Sequence, residues 1–261
     1  MKSILAVSFL VFLCVSPIGC FKPKPAKPVD IDKPGYQEWR EQSRKFNEEL
    51  NTGFNCLELC KAIEVKKTLL IQRASYDSPE MRDLVDKQMK LFQQAEGHFR
   101  EALRMDQKSM VAHQALCQTL ARLGKYDEAI EHGLLVLKGA PGQMMIYRDV
   151  AVAYERKGFN SQGEESIRNY EDAVRIIMEY YPKDTDEISQ AQMVAYLGKI
   201  CHERLAILVE GSDKIKQYDR IIDVLGNYLQ QHPDNPFVDE MKSRVEAARE
   251  GKADLGSGHG E

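Results

Sequence analysis

The feature that most constrains the fold is a self-similarity of the sequence at a spacing of 34 residues. Large, small and glycine positions recur in register, pairing Leu116 with Val150, Cys117 with Ala151, Leu120 with Tyr154, Gly124 with Gly158, Ala95 with Ala129 and Ala102 with Val136. A recurrence at this spacing predicts supersecondary units that stack on one another. Leu, Ala, Glu, Lys and Arg dominate the repeating stretch, so the units are expected to be helical.

Residues 110–143 show how one such unit is built. The small Cys117 and Ala129 let two helices of a hairpin approach closely. Gly124 is expected to end the first helix in a left-handed turn, and Pro141 to stop the second. A single hairpin cannot bury its apolar face alone, so neighbouring units must stack.

This stretch resembles a tetratricopeptide repeat (TPR). The resemblance rests on His113, Leu116, Cys117, Leu120, Gly124, Tyr126, Ala129 and Pro141, which fill the family's pattern positions. Gly133 stands where a large aromatic is common, which predicts lighter packing there. The resemblance implies an all-α, TPR-like α-solenoid of antiparallel helix hairpins with a C-terminal capping helix.

The repeats downstream diverge from this pattern. The second opens at Met144, and about seven extra residues around 160–166 lengthen its second helix. The third begins near Asp186, with a core of Val194, Leu197, Gly198 and Cys201 and a second helix over 214–232. The inner helices within 161–210 are expected to be long and side by side. A helix over 236–249 is expected to cap the array, which gives a repeat domain over 110–250 and a disordered tail over 251–261.

Upstream, residues 36–109 are interpreted as a TPR-like hairpin of two overlong helices, 36–73 and 79–106. A stripe spaced three and four residues apart marks the packed side of the first: Tyr36, Trp39, Phe46, Leu50, Leu57 and Cys60. Gly53 is expected to kink or break that helix.

Residues 1–20 form a lipoprotein signal peptide in this interpretation. Lys2 precedes an apolar stretch from Ile4 to Val15, which is too short to span a bilayer and typical of a secretory signal. The following segment to Cys20 resembles a bacterial lipobox, with Gly19 before the Cys and Pro17 where Leu is usual, so Cys20 is the expected lipid-attachment site. Ordinary cleavage, leaving Cys20 as a free N-terminal thiol, is the alternative.

The proline-rich residues 21–35 are expected to form an extended tether of roughly 45 Å. In this interpretation Lys22, Lys24 and Lys27 can contact anionic headgroups. Residue 21 is Phe and not Asp. Resemblance to well-studied Gram-negative lipoproteins therefore implies the outer membrane, with the protein facing the periplasm.

The sequence contains none of the common catalytic or nucleotide-binding motifs. No GxSxG, GxxxxGK[ST], HExxH or GxGxxG motif occurs, so no enzyme activity, metal or cofactor is expected. The net charge of −4 argues against nucleic-acid binding. Cys56 and Cys60 are interpreted as small buried residues, and His113 as a core residue.

A binding groove is better supported, because the first helices of TPR arrays line a concave surface. The resemblance places on it Gln114, Gln118, Arg122, Arg148, Val152, Glu155, Arg156 and Lys199, with Val111, Met145, Gln192 and His202 beside them. Its arginines and lysine predict a basic groove for an acidic peptide or a C-terminal carboxylate. A solvated helix face with ordinary salt bridges is the other interpretation. The pattern does not match the carboxylate clamp of some chaperone-binding TPR domains.

The leading functional hypothesis is a membrane-anchored scaffold for protein–protein interaction or assembly in the bacterial envelope, in secretion, pilus or envelope machinery. The alternative is an accessory lipoprotein that holds a small apolar ligand between its long helices for a transporter. An open polar groove favours the first hypothesis, and a closed apolar tunnel the second.

Overall fold

The computed structural model describes residues 35–72, 78–139 and 145–257. These residues form ten α-helices and no strand: α1 (Tyr36–Gln72), α2 (Pro79–Met105), α3 (Met110–Arg122), α4 (Tyr126–Gly139), α5 (Ile146–Asn160), α6 (Gly163–Tyr180), α7 (Glu187–Ile200), α8 (Ala206–Leu208), α9 (Gly211–Gln231) and α10 (Val238–Ser257). A 3₁₀ turn, Tyr181–Lys183, follows α6, and a π-helical turn, Cys201–Leu205, joins α7 to α8.

Consecutive helices pair as antiparallel hairpins, and each hairpin packs on the next. The pairs are α1 with α2, α3 with α4, α5 with α6, and α7–α8 with α9, while α10 closes the array against α9 and α7. This order confirms the all-α, TPR-like solenoid with a C-terminal capping helix.

The long N-terminal hairpin has the bounds expected from the sequence to within a residue. The prediction of a break at Gly53 is wrong, since α1 is continuous there. A Cβ at Gly53 would lie 2.5 Å from Cε1 of Phe99, so the glycine serves close packing. In the predicted stripe Leu50 and Cys60 are buried, but Trp39 is 56% exposed. The side chain of Tyr36 lies outside the described part of the molecule.

The α3–α4 hairpin follows the repeat pattern closely. Ser109 caps α3 by accepting a hydrogen bond from the amide of Ala112. Gly124 has φ +77° in the turn, as predicted. Pro141 lies outside the described residues. The prediction of light packing at Gly133 is wrong, because a Cβ there would lie only 2.3 Å from Cγ2 of Val150.

The third repeat begins where the sequence placed it, with the Asp186 side chain capping α7. Its predicted core residues Val194, Leu197 and Cys201 are fully buried. The long inner helix is real but composite, since α7 continues through the π-helical turn into α8.

The cap is longer than predicted. Met241 and Ala248 of α10 are fully buried, and the helix runs to Ser257. The expectation of a disordered tail from residue 251 is therefore wrong for 251–257, and residues 258–261 lie outside the described part. The predicted signal peptide, Cys20 and the tether, within 1–34, also lie outside it. Of the described helices, none combines the length and apolarity needed to cross a membrane.

Candidate protein-binding groove

The array has two layers of helices, and polar contacts within each layer identify them. Between first helices, Nε2 of Gln118 in α3 donates to Oδ2 of Asp149 in α5 at 2.8 Å. Between second helices, Nη1 of Arg220 in α9 donates to Oε2 of Glu171 in α6 at 2.9 Å. We call the side formed by α1, α3, α5, α7 and the π-helical turn the first-helix face.

The sequence-predicted groove residues lie on these helices with different exposure. Arg122 is exposed and Val152 is 37% exposed, whereas Glu155 is only 7% exposed. The rest are partly buried: Val111, Gln114, Gln118, Met145, Arg148, Arg156, Gln192 and Lys199. His202 lies in the π-helical turn and is also partly buried, with its ring centroid 6.4 Å from that of Tyr218 in α9.

The groove is less basic than expected, because carboxylates lie among the arginines. Glu64 of α1 and Asp149 of α5 both act electrostatically on Arg122 of α3. Glu155 accepts a hydrogen bond from Nε of Arg204 at 3.3 Å and lies 3.7 Å from Nε of Arg156. The first-helix face therefore carries mixed charge, and Glu155 is internally paired.

Arg122 has the most distinctive environment on this face. The residue is exposed, yet desolvation by the surrounding protein lowers the pKa of its guanidinium, against the raising effects of the Glu64 and Asp149 charges. Within the described residues it forms no hydrogen bond and no ion pair within 4.0 Å. Because arginine stays protonated, this leaves a cation with open donors.

Asp149 is the acidic counterpart of Arg122. Burial raises the pKa of its carboxyl, against the lowering effects of the Gln118 hydrogen bond and of the Arg148 and Arg122 charges. The carboxylate is therefore held in place by Gln118 and does not close on Arg122.

The long hairpin contributes a cluster that the sequence did not predict. The side-chain amide of Gln88 donates to Oε2 of Glu64 at 2.9 Å and to the carbonyl of Cys60 at 3.2 Å. Burial acts to raise the pKa of Glu64, but the Gln88 and Lys67 hydrogen bonds outweigh it and the pKa is lowered. Glu64 was missed because α1 has no recognisable repeat register.

Two aromatic residues of the face were also missed. Phe159 is 60% exposed, and Cζ of Arg204 lies 5.3 Å from its ring centroid. Its position three residues after Arg156, at helical spacing, was an available signal. Tyr196 of α7 lies near Glu155, and burial raises the pKa of its phenol.

The packing of the described helices does not favour an apolar tunnel between them. A Cβ at Gly53 would collide with Phe99, as noted above, and one at Gly198 would lie 2.7 Å from Cδ2 of Leu225. The open hollow beside α6 and α9 has charged walls that include Glu171, Arg175 and Arg220. These observations favour the open groove over the alternative.

The cysteines and metal-ligating side chains suggest no reactive centre in the described chain. Cys56 and Cys60 are buried, as predicted, and burial raises the pKa of Cys60 to about 11. Such thiols are poor nucleophiles. Residues 35–72, 78–139 and 145–257 contain no group of three or more His, Cys, Asp and Glu side chains placed to hold a metal ion.

Comparison with known proteins gives little further information about the function of this chain. No family model matches the sequence, and no curated protein matches it. Among solved structures, the chain is similar to the crystal structure of TTC0263, a thermophilic TPR protein from Thermus thermophilus. The two share 17% identity over 61% of this chain and 91% of that chain, with a TM-score of 0.37. The TPR-like architecture therefore rests on the order and packing of the helices described above.

Proposed function

We propose that this chain is a non-enzymatic, membrane-anchored scaffold of the bacterial envelope that binds a protein partner on its first-helix face. The observation that carries the proposal is Arg122 of α3, an exposed cation with no ion-pair partner within 4.0 Å among the described residues, which lies within electrostatic reach of Glu64 in α1 and Asp149 in α5. Such a site suits an acidic segment or a C-terminal carboxylate of the partner, because guanidinium donors match both oxygens of a carboxylate.

The neighbouring charges make the proposed site selective. Glu64 and Asp149 flank Arg122 and repel a partner that presents diffuse negative charge. A single well-placed carboxylate gains the Arg122 donors without approaching either acid closely. The exposed Val152 offers apolar contact area beside it.

Anchoring is the second part of the proposal. The apolar residues 4–15, the Gly19–Cys20 pair and the proline-rich residues 21–35 support a lipid on Cys20 and a tether that holds the helical array away from the membrane. We infer an outer-membrane location facing the periplasm from the residue after Cys20, as argued above.

Site-specific photo-crosslinking in cells tests the groove. A crosslinker at Gln114 should capture a partner, and Arg122→Glu, Arg148→Glu or Arg156→Glu in the same chain should reduce the capture. A crosslinker at Lys216, exposed on α9 of the other layer, is the matched control. Equal capture from both positions, or capture from Gln114 that ignores the arginine reversals, contradicts the proposed site.

Metabolic labelling with a radioactive fatty acid tests the anchor. The wild-type chain should incorporate label and fractionate with the outer membrane, while Cys20→Ala should do neither. Unlabelled wild-type chain would remove the lipid from the proposal and leave the groove untouched.

A further inference from the structure

The outward side of α1 carries an apolar stripe in the last third of the helix. Leu59, Ala62, Val65 and Leu69 are spaced three, three and four residues apart, so they share one side of the helix. Leu59 is 56%, Val65 62% and Leu69 49% exposed.

The stripe is distinct from the core of the hairpin. The same segment packs on α2 through Cys60, which is buried on the opposite side of the helix, and Leu70 is buried beside the stripe at the end of the helix. Earlier in α1 the outward side is polar, as at Arg44, Asn51 and Asn55. Exposed apolar side chains are therefore concentrated at residues 59–69, as expected of an interaction surface.

The sequence around the stripe is complementary to itself in the antiparallel direction. When two copies of α1 are laid antiparallel with Ala62 facing Ala62, Glu58 lies level with Lys66 of the other copy, four residues either side of the centre. Leu59 lies level with Val65, three residues either side. The small Ala62 at the centre permits close approach of the two helices.

We propose that this stripe is the interface of a homodimer, in which two copies of α1 pack antiparallel about a two-fold axis at Ala62. Residues 52–72 of the two helices then overlap over roughly 30 Å. The two-fold axis generates two Glu58–Lys66 ion pairs. Because both copies use the same surface, the assembly ends at two chains. A parallel pair would instead bring Glu58 to the level of Glu58, so the charges select the antiparallel arrangement.

The exposure of the pairing residues fits this interface. Glu58, Ala62 and Lys66 are all exposed, and the Glu58 carboxylate already interacts with Nζ of Lys61 in the same helix. Lys61 lies to one side of the stripe, so Glu58 can bond it and Lys66 of the second copy together.

The proposed dimer covers the α1 end of the first-helix face but leaves the surroundings of Arg122 open. Cys60 and Glu64, which act on Arg122, lie on the side of α1 opposite Ala62 and Leu69. A second copy on the stripe therefore does not cover the groove.

Light scattering and sedimentation of the full chain test the dimer. Cys20→Ser is included so that neither a lipid nor a thiol at that position joins two copies. We expect a concentration-dependent mass that reaches twice that of the chain, and a monomer for the Leu59→Glu, Leu69→Glu double variant. Circular dichroism should be unchanged, since both side chains are exposed.

Charge reversal tests the register. Glu58→Lys alone and Lys66→Glu alone should each raise the dimer dissociation constant about tenfold, because like charges replace two ion pairs. Combining both reversals should restore the dimer to near wild-type strength. Lys87→Glu, on exposed α2 surface, is the control and should have no effect.

Three results overturn the proposal: a wild-type chain that stays monomeric at all concentrations, a double-glutamate variant that dimerises like wild type, or a combined reversal no stronger than either single reversal. The last result rejects the antiparallel register even where a dimer forms.

Discussion

Gly133 shows at the scale of one residue how a departure from a repeat pattern is compensated. It lies inside α4, where glycine usually destabilises a helix by about 0.5–1 kcal/mol relative to Ala. Here Val150 and Cys117 fill the space that a side chain would need. The pattern expects a large residue at this position, and the neighbouring repeat supplies the missing volume.

We therefore predict that Gly133→Ala destabilises the protein by about 1–2 kcal/mol, because overpacking outweighs the gain in helix propensity. Gly97→Ala is the matched control. Gly97 lies in α2 with no atom within 4 Å of its Cβ position, so alanine should stabilise by about 0.5–1 kcal/mol. Urea unfolding measures both, and two changes of the same sign would contradict the packing account.

His113 and His132 form a hydrogen-bonded imidazole pair between α3 and α4. Their Nδ1 atoms are 2.8 Å apart, and Nε2 of His113 lies 3.1 Å from the carbonyl of Gln107. A carbonyl only accepts, so Nε2 of His113 donates to it. In the neutral pair Nδ1 of His132 then donates to Nδ1 of His113.

This pair makes stability depend on pH. Burial and the charges of His113 and Arg100 lower the pKa of His132 below its ordinary value of 6.5, against the opposing charges of Glu131 and Glu128. As the pH falls, His132 in the unfolded chain is protonated before His132 in the folded chain. The free energy of unfolding therefore decreases as the pH falls from about 6.5 toward the lowered pKa of the folded protein.

We predict that wild type loses more stability between about pH 7.5 and about pH 5.5 than His132→Asn does. The amide nitrogen of asparagine keeps the donor to His113 but does not titrate. Urea unfolding at both values gives the comparison, and equal losses would show that His132 is not the responsible group.

The sequence predicted the residues of this repeat well, and those of the groove only in part. Leu116, Cys117 and Ala129 are buried as the pattern requires, because small and large positions are fixed by contacts within one hairpin. Asp149 and Glu64 were not assigned to the groove. Their charge reaches Arg122 only through the stacking of separate hairpins, which no local pattern records.

Among the connections between helices, Asp184 joins α5 to α7 through one carboxylate. It is buried between α6 and α7, and its Oδ2 accepts from the hydroxyl of Tyr147 in α5 at 2.9 Å and from that of Ser189 in α7 at 2.5 Å. Oδ1 accepts from the amide of Asp186 at 3.1 Å. The carboxylate thus fixes where α7 begins relative to α5.

We predict that Tyr147→Phe destabilises by about 1–3 kcal/mol, since it removes a donor from a buried carboxylate. Tyr126→Phe is the control. The Tyr126 hydroxyl accepts only a long, exposed bond from Asn160 at 3.4 Å, so its loss should cost less than about 0.5 kcal/mol. Thermal unfolding distinguishes the two, and equal costs would argue against a structural role for Asp184.

The π-helical turn is an element that could not be predicted from the sequence. The extra length of the third inner helix was predicted from spacing, but the turn at Cys201–Leu205 was not. It accompanies two contacts between distant segments: Arg204 with Glu155 at 3.3 Å and Glu203 with Arg244 at 2.9 Å. Partners 41 or more residues away along the chain leave no mark on the local hydrophobic period.

At the scale of the whole molecule, the described residues form two large apolar cores that meet at the second repeat. One is built mainly from α1, α2 and α3, with contributions from α4 and α5, and includes Phe99 and Leu116. The other runs mainly from α4 and α5 to the cap and includes Leu197 and Met241. Tyr154 of α5 packs against both. Because each hairpin contacts mainly its neighbours, damage at one end is expected to spread repeat by repeat.

Met241 of the cap tests this coupling. Met241→Asp places a carboxyl at a fully buried position and should cost at least about 3 kcal/mol locally. Because the cap covers the last hairpin, we predict faster hydrogen exchange in α9 and α10, with α1 and α2 still protected by their separate core. Lys242→Asp, at the exposed next position, should leave exchange unchanged. If all helices lost protection together in Met241→Asp, the two cores would fold as one cooperative unit and the array would not be modular.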